Sequence, residues 1–349
     1  MSSSTITTAI LGQVVVWGDD TAHQITDAPK AAQFRKVAPG GGKQALALHS
    51  NGKLTLWGGV PPPPLPMKNV PALTLTAGEK YIDLAIGVSF AAAIRGSDHC
   101  IQTWGELAEP VNGSQDSSLP PEDAGMRFVA VTVAGGHGVA IEEHTRTLYQ
   151  WGAGHGTQPQ PRGVKFVEVR ARNDYSIALD EFGGLYGWGG VLFAPPTPAG
   201  SVPVTLQTDL LQDEDWQFVA AGGYYFHKGP FTAIAAGGVQ KTLTPQYGHV
   251  LAIKRSDSSV VGWGRNTFQA ITGAPKGVRF TAVAAGAAFS IGLDDKGELW
   301  HWGNRGVLQP TGKGSLETVP KGPFVSIGAG TLHASAVRPS SPYASSFEG

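Results

Sequence analysis

The chain has 349 residues, of which 48 are glycine, and only 15 % are charged. Glycine at roughly twice its usual share but without a three-residue period excludes collagen, and ordinary hydrophobicity at net charge −1 excludes a disordered chain. Apolar runs fall far short of the roughly 20 residues that span a bilayer, the balanced charge argues against a generic grip on nucleic acid or membrane, and a single cysteine, Cys100, excludes a disulfide frame within the chain.

Residues 1–11 lack the basic and apolar stretches of a signal peptide and read as a polar tail. From Gln13 to Gly18 a strand is predicted, ending in Trp17-Gly18. The same dipeptide recurs at Trp57, Trp104, Trp151, Trp188, Trp263 and Trp302, at steps of 37 to 47 residues except for one of 75. A period in the forties with several short strands per unit is the mark of propeller blades.

Each unit repeats the same elements. A strand such as Lys53-Leu54-Thr55-Leu56 runs into the Trp-Gly, and a tight turn such as Ser50-Asn51-Gly52 or Asp295-Lys296-Gly297 precedes it. Before the turn comes an apolar strand rich in Ala and Gly, for example Ala91-Ala92-Ala93-Ile94 or Ser290-Ile291-Gly292-Leu293. Such composition suits inner strands, where blades crowd together. Further upstream, strands such as Phe128-Val129-Ala130-Val131 and Phe280-Thr281-Ala282-Val283 open on an aromatic and close on Ala-Gly or a near equivalent.

Insertions interrupt the pattern. The proline run 61–66 reads as a polyproline II spacer. Residues 106–125 read as a solvated loop, and the sequon at Asn112-Gly113-Ser114 as part of it. Between Trp188 and Trp263 two segments, 218–223 and 231–238, both look like a first strand. The one left over, or Tyr224-Tyr225-Phe226-His227 with residues 239–247, is expected to form an inserted loop or hairpin. Because it leads into His249, it is expected beside the mouth of the ring, as part of blade 5.

The last unit stops after its second strand, near Val337, and the chain begins with the missing piece. The expectation is therefore an all-β, seven-bladed β-propeller, closed by the N-terminal strand completing the last blade. It spans residues 12–338 as one domain, with tails at 1–11 and 339–349.

The units resemble the repeats of the regulator of chromosome condensation superfamily. In repeat style they are closest to β-lactamase inhibitory protein II, a seven-bladed member. Val260-Val261-Gly262-Trp263-Gly264-Arg265-Asn266 carries the likeness, as does Val283-Ala284-Ala285-Gly286 with Phe289-Ser290-Ile291-Gly292-Leu293. The residue before each apolar strand is Gln44, Phe90, His137, Tyr175, His249, Phe289 or His333. These seven are expected around one mouth of the channel. By resemblance, they and Lys43, Ser89, Asp174, Ala288 and Leu332 meet a partner protein. Tyr224, Tyr225, Phe226, His227 and Tyr247 extend the set, since aromatic residues are enriched in binding hot spots. A ring residue has an equal claim to packing against the next blade. The ring lacks tryptophan and the chain carries extra insertions, so β-lactamase inhibition itself is not expected.

Catalytic patterns are thin, and no catalytic residue, metal or cofactor is expected. Gly152-Ala153-Gly154-His155-Gly156 runs into prolines rather than a helix, so it offers no phosphate-binding terminus. Gly312-Lys313-Gly314 lacks the P-loop spacing. Asp213-Glu214-Asp215 lacks the calcium-loop spacing. His137, His249 and His333 lie on non-adjacent units, too far apart for shared zinc bonds of about 2.1 Å. The expected function is non-enzymatic binding of a partner protein through the ring mouth and the blade-5 insertion, with no nucleic acid and no membrane. One alternative is a structural or decoration subunit packed against neighbouring subunits in an assembly such as a viral particle. The other is a channel-mouth enzyme or lectin. The expected location is cytoplasmic or virion-associated.

Overall fold

The computed structural model describes residues 12–21, 23–30, 33–40, 44–59, 77–88, 90–105, 125–152, 163–190, 192–193, 215–219, 223–239, 247–304 and 319–339. The proline run 61–66, the loop 106–124, Lys43, Ser89, residues 153–156, Asp213, Glu214, the segment 312–314 and the tails 1–11 and 340–349 lie outside them. Nearly all regular structure is strand.

In chain order the strands are β1 (Gly12–Gly18), β2 (Phe34–Pro39), β3 (Gln44–His49), β4 (Leu54–Gly58), β5 (Tyr81–Ile86), β6 (Phe90–Arg95), β7 (Ile101–Gly105) and β8 (Phe128–Val133). Next come β9 (His137–Glu142), β10 (Leu148–Gly152), β11 (Phe166–Arg172), β12 (Tyr175–Asp180), β13 (Leu185–Gly189), β14 (Trp216–Val219), β15 (Tyr224–His227) and β16 (Phe231–Val239). The last are β17 (Tyr247–Lys254), β18 (Val260–Gly264), β19 (Phe280–Ala285), β20 (Phe289–Asp294), β21 (Leu299–Gly303), β22 (Ser326–Ala329) and β23 (His333–Pro339). They pair as antiparallel triplets: β2-β3-β4, β5-β6-β7, β8-β9-β10, β11-β12-β13, β16-β17-β18, β19-β20-β21 and β22-β23-β1, the last joined to the first in one six-stranded sheet by Gly12 opposite Phe34. The seventh triplet joins the two ends of the described chain, with Val14 opposite Val337 and Gly18 opposite His333.

First strands touch from triplet to triplet: β2 meets β5, then β8, β11, β16, β19 and β22, which returns to β2. The first strands are therefore innermost. The Ala-rich strands expected there are the middle ones, each wedged against the next triplet's first strand. Small side chains suit them because both faces are buried, as in His137–Glu142 and Tyr175–Asp180. The described residues form no single central core. Apolar clusters fill the gaps between successive triplets, and Val14, Phe34, Val37, Ala45, Trp57 and Val337 fill the one between the seventh and the first.

The aromatic that opens each first strand, or in the seventh triplet stands two residues before it, is buried: Phe34, Tyr81, Phe128, Phe166, Phe231, Phe280 and Phe324. A bulge follows it in the first six triplets. A bulge leaves backbone groups off the ladder and adds twist. Beyond the bulge, side chains of the preceding triplet reach amides on the inner edge of the first strand: Val131 N donates to Asp83 Oδ2 at 2.9 Å and Ala171 N to Thr132 Oγ1 at 3.1 Å.

Residues 231–239 form the first strand of the fifth triplet. Trp216–Val219 and Tyr224–His227 form a hairpin on the outer edge of the fourth triplet, in the order β11-β12-β13-β15-β14. Tyr186 lies opposite Phe226 in that pairing. The expected blade-5 insertion is thus an outward extension of the fourth triplet and not an addition beside the mouth.

Candidate functional site: the turn end of the sheets

Each Trp-Gly glycine lies opposite one residue of the expected ring. The pairs are Gln44 with Gly58, Phe90 with Gly105, His137 with Gly152, Tyr175 with Gly189, His249 with Gly264, Phe289 with Gly303 and His333 with Gly18. All seven glycines have positive φ, from 78° at Gly58 to 113° at Gly18. A Cβ on Gly152 would also lie 2.8 Å from His137 Cα. The repeat thus needs glycine twice over, for backbone hand and for the close approach of the ring residue.

The ring residues are gathered at one end of the sheets, but their side chains turn into the protein. Phe90, His137, Tyr175, His249, Phe289 and His333 are buried, and Gln44 is half-buried. Three of them stitch neighbouring triplets. His137 Nε2 bonds Ser176 Oγ at 2.8 Å, and His249 Nε2 bonds Ser290 Oγ at 2.9 Å. The Tyr175 hydroxyl lies 2.7 Å from Gly237 O and 3.1 Å from His249 O. Burial pushes the pKa of His137, His249 and His333 down to about 4, so all three are neutral at pH 7. Arg172 adds to the shift of His249 and His333, and Asp19 opposes it at His333. Both ring nitrogens of His333 lack a hydrogen-bond partner.

The outer hairpin serves packing as well. Tyr225 is buried against Phe193 and Phe218. His227 is buried against Trp216, Phe231 and Trp263. Tyr224 and Phe226 are half-buried on Tyr186. The backbone of Tyr247 lies in β17 opposite Val239, and its side chain is outside the described residues.

The described residues at the ends of the first strands form a tight collar at this end. The seventh residue of each unit, counted from the opening aromatic, is Gly40, Gly87, Ala134, Arg172, Gly237, Gly286 or Gly330. A Cβ on Gly237 would meet Gly286 O at 2.6 Å, and one on Gly330 would meet Gly40 O at 2.7 Å. Small residues are required because these strand ends press on one another. Gly135 N donates to Asn173 O at 3.2 Å, Gly238 N to Gly286 O at 2.8 Å and Ala287 N to Thr331 O at 3.1 Å. Arg172 is the exception, and reading for aromatic residues missed it. Its signal was present, since it is the one long side chain among seven aligned positions, the other six being Gly or Ala.

Two exposed hydrophobic residues belong to this end. Val88, 54 % exposed, is in the turn between β5 and β6. Phe268, 60 % exposed, is in the connection that leaves β18 after Gly264. Phe268 has φ +56°, unusual for a bulky residue. Its loop is fixed: Asn266 Oδ1 accepts from Ile271 N at 2.9 Å and Thr272 N at 3.1 Å. The opposite end carries Phe182, 75 % exposed, in the hairpin between β12 and β13. Among the described residues no group of three or more His, Cys, Asp or Glu is placed to hold a metal ion. No helix among them is long and apolar enough to cross a membrane.

No family model matches the chain. Solved structures do. Prp20p from Saccharomyces cerevisiae, described with its binding properties to Gsp1p and histones, matches at TM-score 0.62 and 15 % identity, over 94 % of this chain and 91 % of that one. Human WBSCR16 matches at TM-score 0.61 and 14 % identity, over 93 % of this chain and 98 % of that one. The CRINKLY WD40 ectodomain of the Arabidopsis thaliana receptor kinase ACR4 matches at TM-score 0.55 and 19 % identity, over 84 % and 88 %. The chain is an all-β propeller. Its fold is RCC1-like: Prp20p is the yeast RCC1.

Proposed function

We propose that the chain is a seven-bladed propeller, closed by its first strand, that binds a partner protein through the turn end of its sheets without catalysing a reaction. The observation that carries the reading is Phe268. An exposed aromatic held at positive φ by a hydrogen-bonded loop stores backbone strain, and such strain collects at functional sites. Val88 adds a second apolar contact at the same end. The buried ring residues then act as supports: His137, Tyr175 and His249 lock the turns between triplets, while Val88, Phe268 and neighbours such as Asp174 and Leu332 meet the partner. Prp20p, which shares the fold, is described as binding proteins, and that supports a binding role.

Co-purification from the native source, with mass spectrometry, identifies the partner. Its affinity is then measured for Val88→Ser/Phe268→Ser and for Phe182→Ser, which alters the opposite end. Binding lost in the first and kept in the second supports the assignment. The reverse pattern overturns it.

A further inference from the structure

The collar of small residues has one exception, and that exception is a cation. Arg172 leaves the end of β11 and donates from Nε to Gly238 O at 3.0 Å and from Nη2 to Thr331 Oγ1 at 3.3 Å. Gly238 belongs to the fifth triplet, and Thr331 precedes the middle strand of the seventh. In the cyclic order of triplets the fourth and seventh are not neighbours. The guanidinium therefore reaches across the end of the space that the first strands enclose.

Both acceptors are neutral. Among the described residues no carboxylate acts on the charge of Arg172. The group is half-buried, and this burial lowers its pKa, with only the Tyr175 phenol acting in the other direction. Even so, a guanidinium keeps its charge in a protein. A charge partly withdrawn from water with no counter-charge is unfavourable. A guanidinium also has five N–H donors in a planar fork, suited to two parallel bonds with one oxyanion. The two hydrogen bonds made within the protein leave part of that fork unused.

A second uncommitted group is close by. His333 is 1 % exposed, with neither ring nitrogen partnered. It lies near enough to Arg172 for the positive charge to disfavour its protonation, and Asp19 is the carboxylate that acts on it in the other direction.

We propose that Arg172 is the receptor for a small free oxyanion, inorganic phosphate or a carboxylate, bound where the guanidinium closes the end of the enclosed space. The anion takes the unused edge of the fork and supplies the missing negative charge. The same negative charge favours protonation of His333 and offers its ring a partner. The site stands apart from the partner-protein reading, because a small anion needs none of the exposed apolar residues.

The test uses the whole chain at constant ionic strength, with chloride as the background. Phosphate and acetate are titrated separately, followed by calorimetry and by the NMR signal of the Arg172 Nε–H group. The expected result is saturable binding of at least one of the two, with a shift of that signal. Binding of phosphate alone identifies a multiply charged ligand, and binding of acetate identifies a carboxylate. Arg172→Met is expected to weaken binding about tenfold or more, and Arg172→Lys to retain part of it as a point charge. Absence of saturable binding by both anions overturns the proposal, as does equal binding by a folded Arg172→Met protein. If Arg172→Met fails to fold, the Nε–H signal of the unaltered protein decides: a saturable shift supports the site, and an unmoved signal overturns it.

Discussion

The His249 ring in the fifth triplet bonds the Ser290 hydroxyl in the sixth, Nε2 to Oγ, at 2.9 Å. His137 repeats the contact with Ser176 two triplets earlier, from the third triplet to the fourth, at 2.8 Å. In both cases the serine pairs with the tryptophan of its own Trp-Gly, Trp302 or Trp188. His333 occupies the same strand position in the seventh triplet, but the matching residue in the first is Ala45, opposite Trp57. The buried imidazole is left with two unpartnered nitrogens.

Ala45→Ser therefore restores the missing inter-triplet bond. One buried hydrogen bond contributes about 1 kcal/mol net, while leaving a buried group unpartnered costs about 1–3 kcal/mol. The variant is expected to raise the free energy of unfolding by about 1 kcal/mol in urea titration. Ser290→Ala should lower it by about 1–3 kcal/mol by orphaning His249. An Ala45→Ser protein no more stable than the parent would show that the seventh and first triplets meet by a different geometry.

The three buried histidines make stability depend on pH. Their folded pKa of about 4 lies below the unfolded value of 6.5. Between those values the unfolded chain binds more protons, so stability rises with pH. The contribution is complete above pH 6.5 and is lost as pH falls toward 4. By pH 5 each histidine costs about 2 kcal/mol relative to neutral pH. Denaturant titrations at pH 7 and pH 5 should show this loss, and His137→Gln should flatten the profile by one histidine's share. An unchanged slope in that variant would mean His137 is not desolvated.

The Trp-Gly glycines differ from the glycines of open turns. Gly152 has φ +96°, and an added Cβ would crowd His137 Cα. Gly163 has φ +75° with nothing within 4 Å of an added Cβ. Gly163→Ala should cost only the left-handed backbone term, about 1–2 kcal/mol. Gly152→Ala adds steric overlap with backbone that cannot yield, and should cost about 3 kcal/mol or more. Equal shifts in the denaturation midpoint would reduce the role of Gly152 to its dihedral angle.

These contrasts show how far the sequence carries. Trp-Gly spacing and hairpin turns are local signals, and they locate strands and units directly. The inward turn of the ring residues has no such signal. The middle strands are buried on both faces, so polar and apolar positions do not alternate and the facing of His137 or Phe289 is not written in the pattern. The segment at 218–223 also mimics a first strand locally, with an aromatic followed by Ala and Gly. The position of β14, Trp216–Val219, depends on its partner β15, where Tyr225 lies opposite Gly187, a pairing between distant parts of the chain. Arg172 was visible only on aligning the units by their opening aromatics, because the mark is a missing glycine and not an added motif.

The hairpin at 216–227 offers the last check. A loop built for contact tolerates truncation of its aromatics with little loss of stability, whereas one built into the sheet does not. Tyr225 is buried between the third strand of its triplet and the cluster of Phe193, Trp216 and Trp263. Tyr225→Ala should therefore cost about 3–5 kcal/mol, the range for removing a large buried aromatic. The loss should appear in thermal unfolding of the isolated chain, with no partner present. A change below about 1 kcal/mol would return Tyr225 to the set of residues that meet a partner, because only an exposed side chain is removed so cheaply.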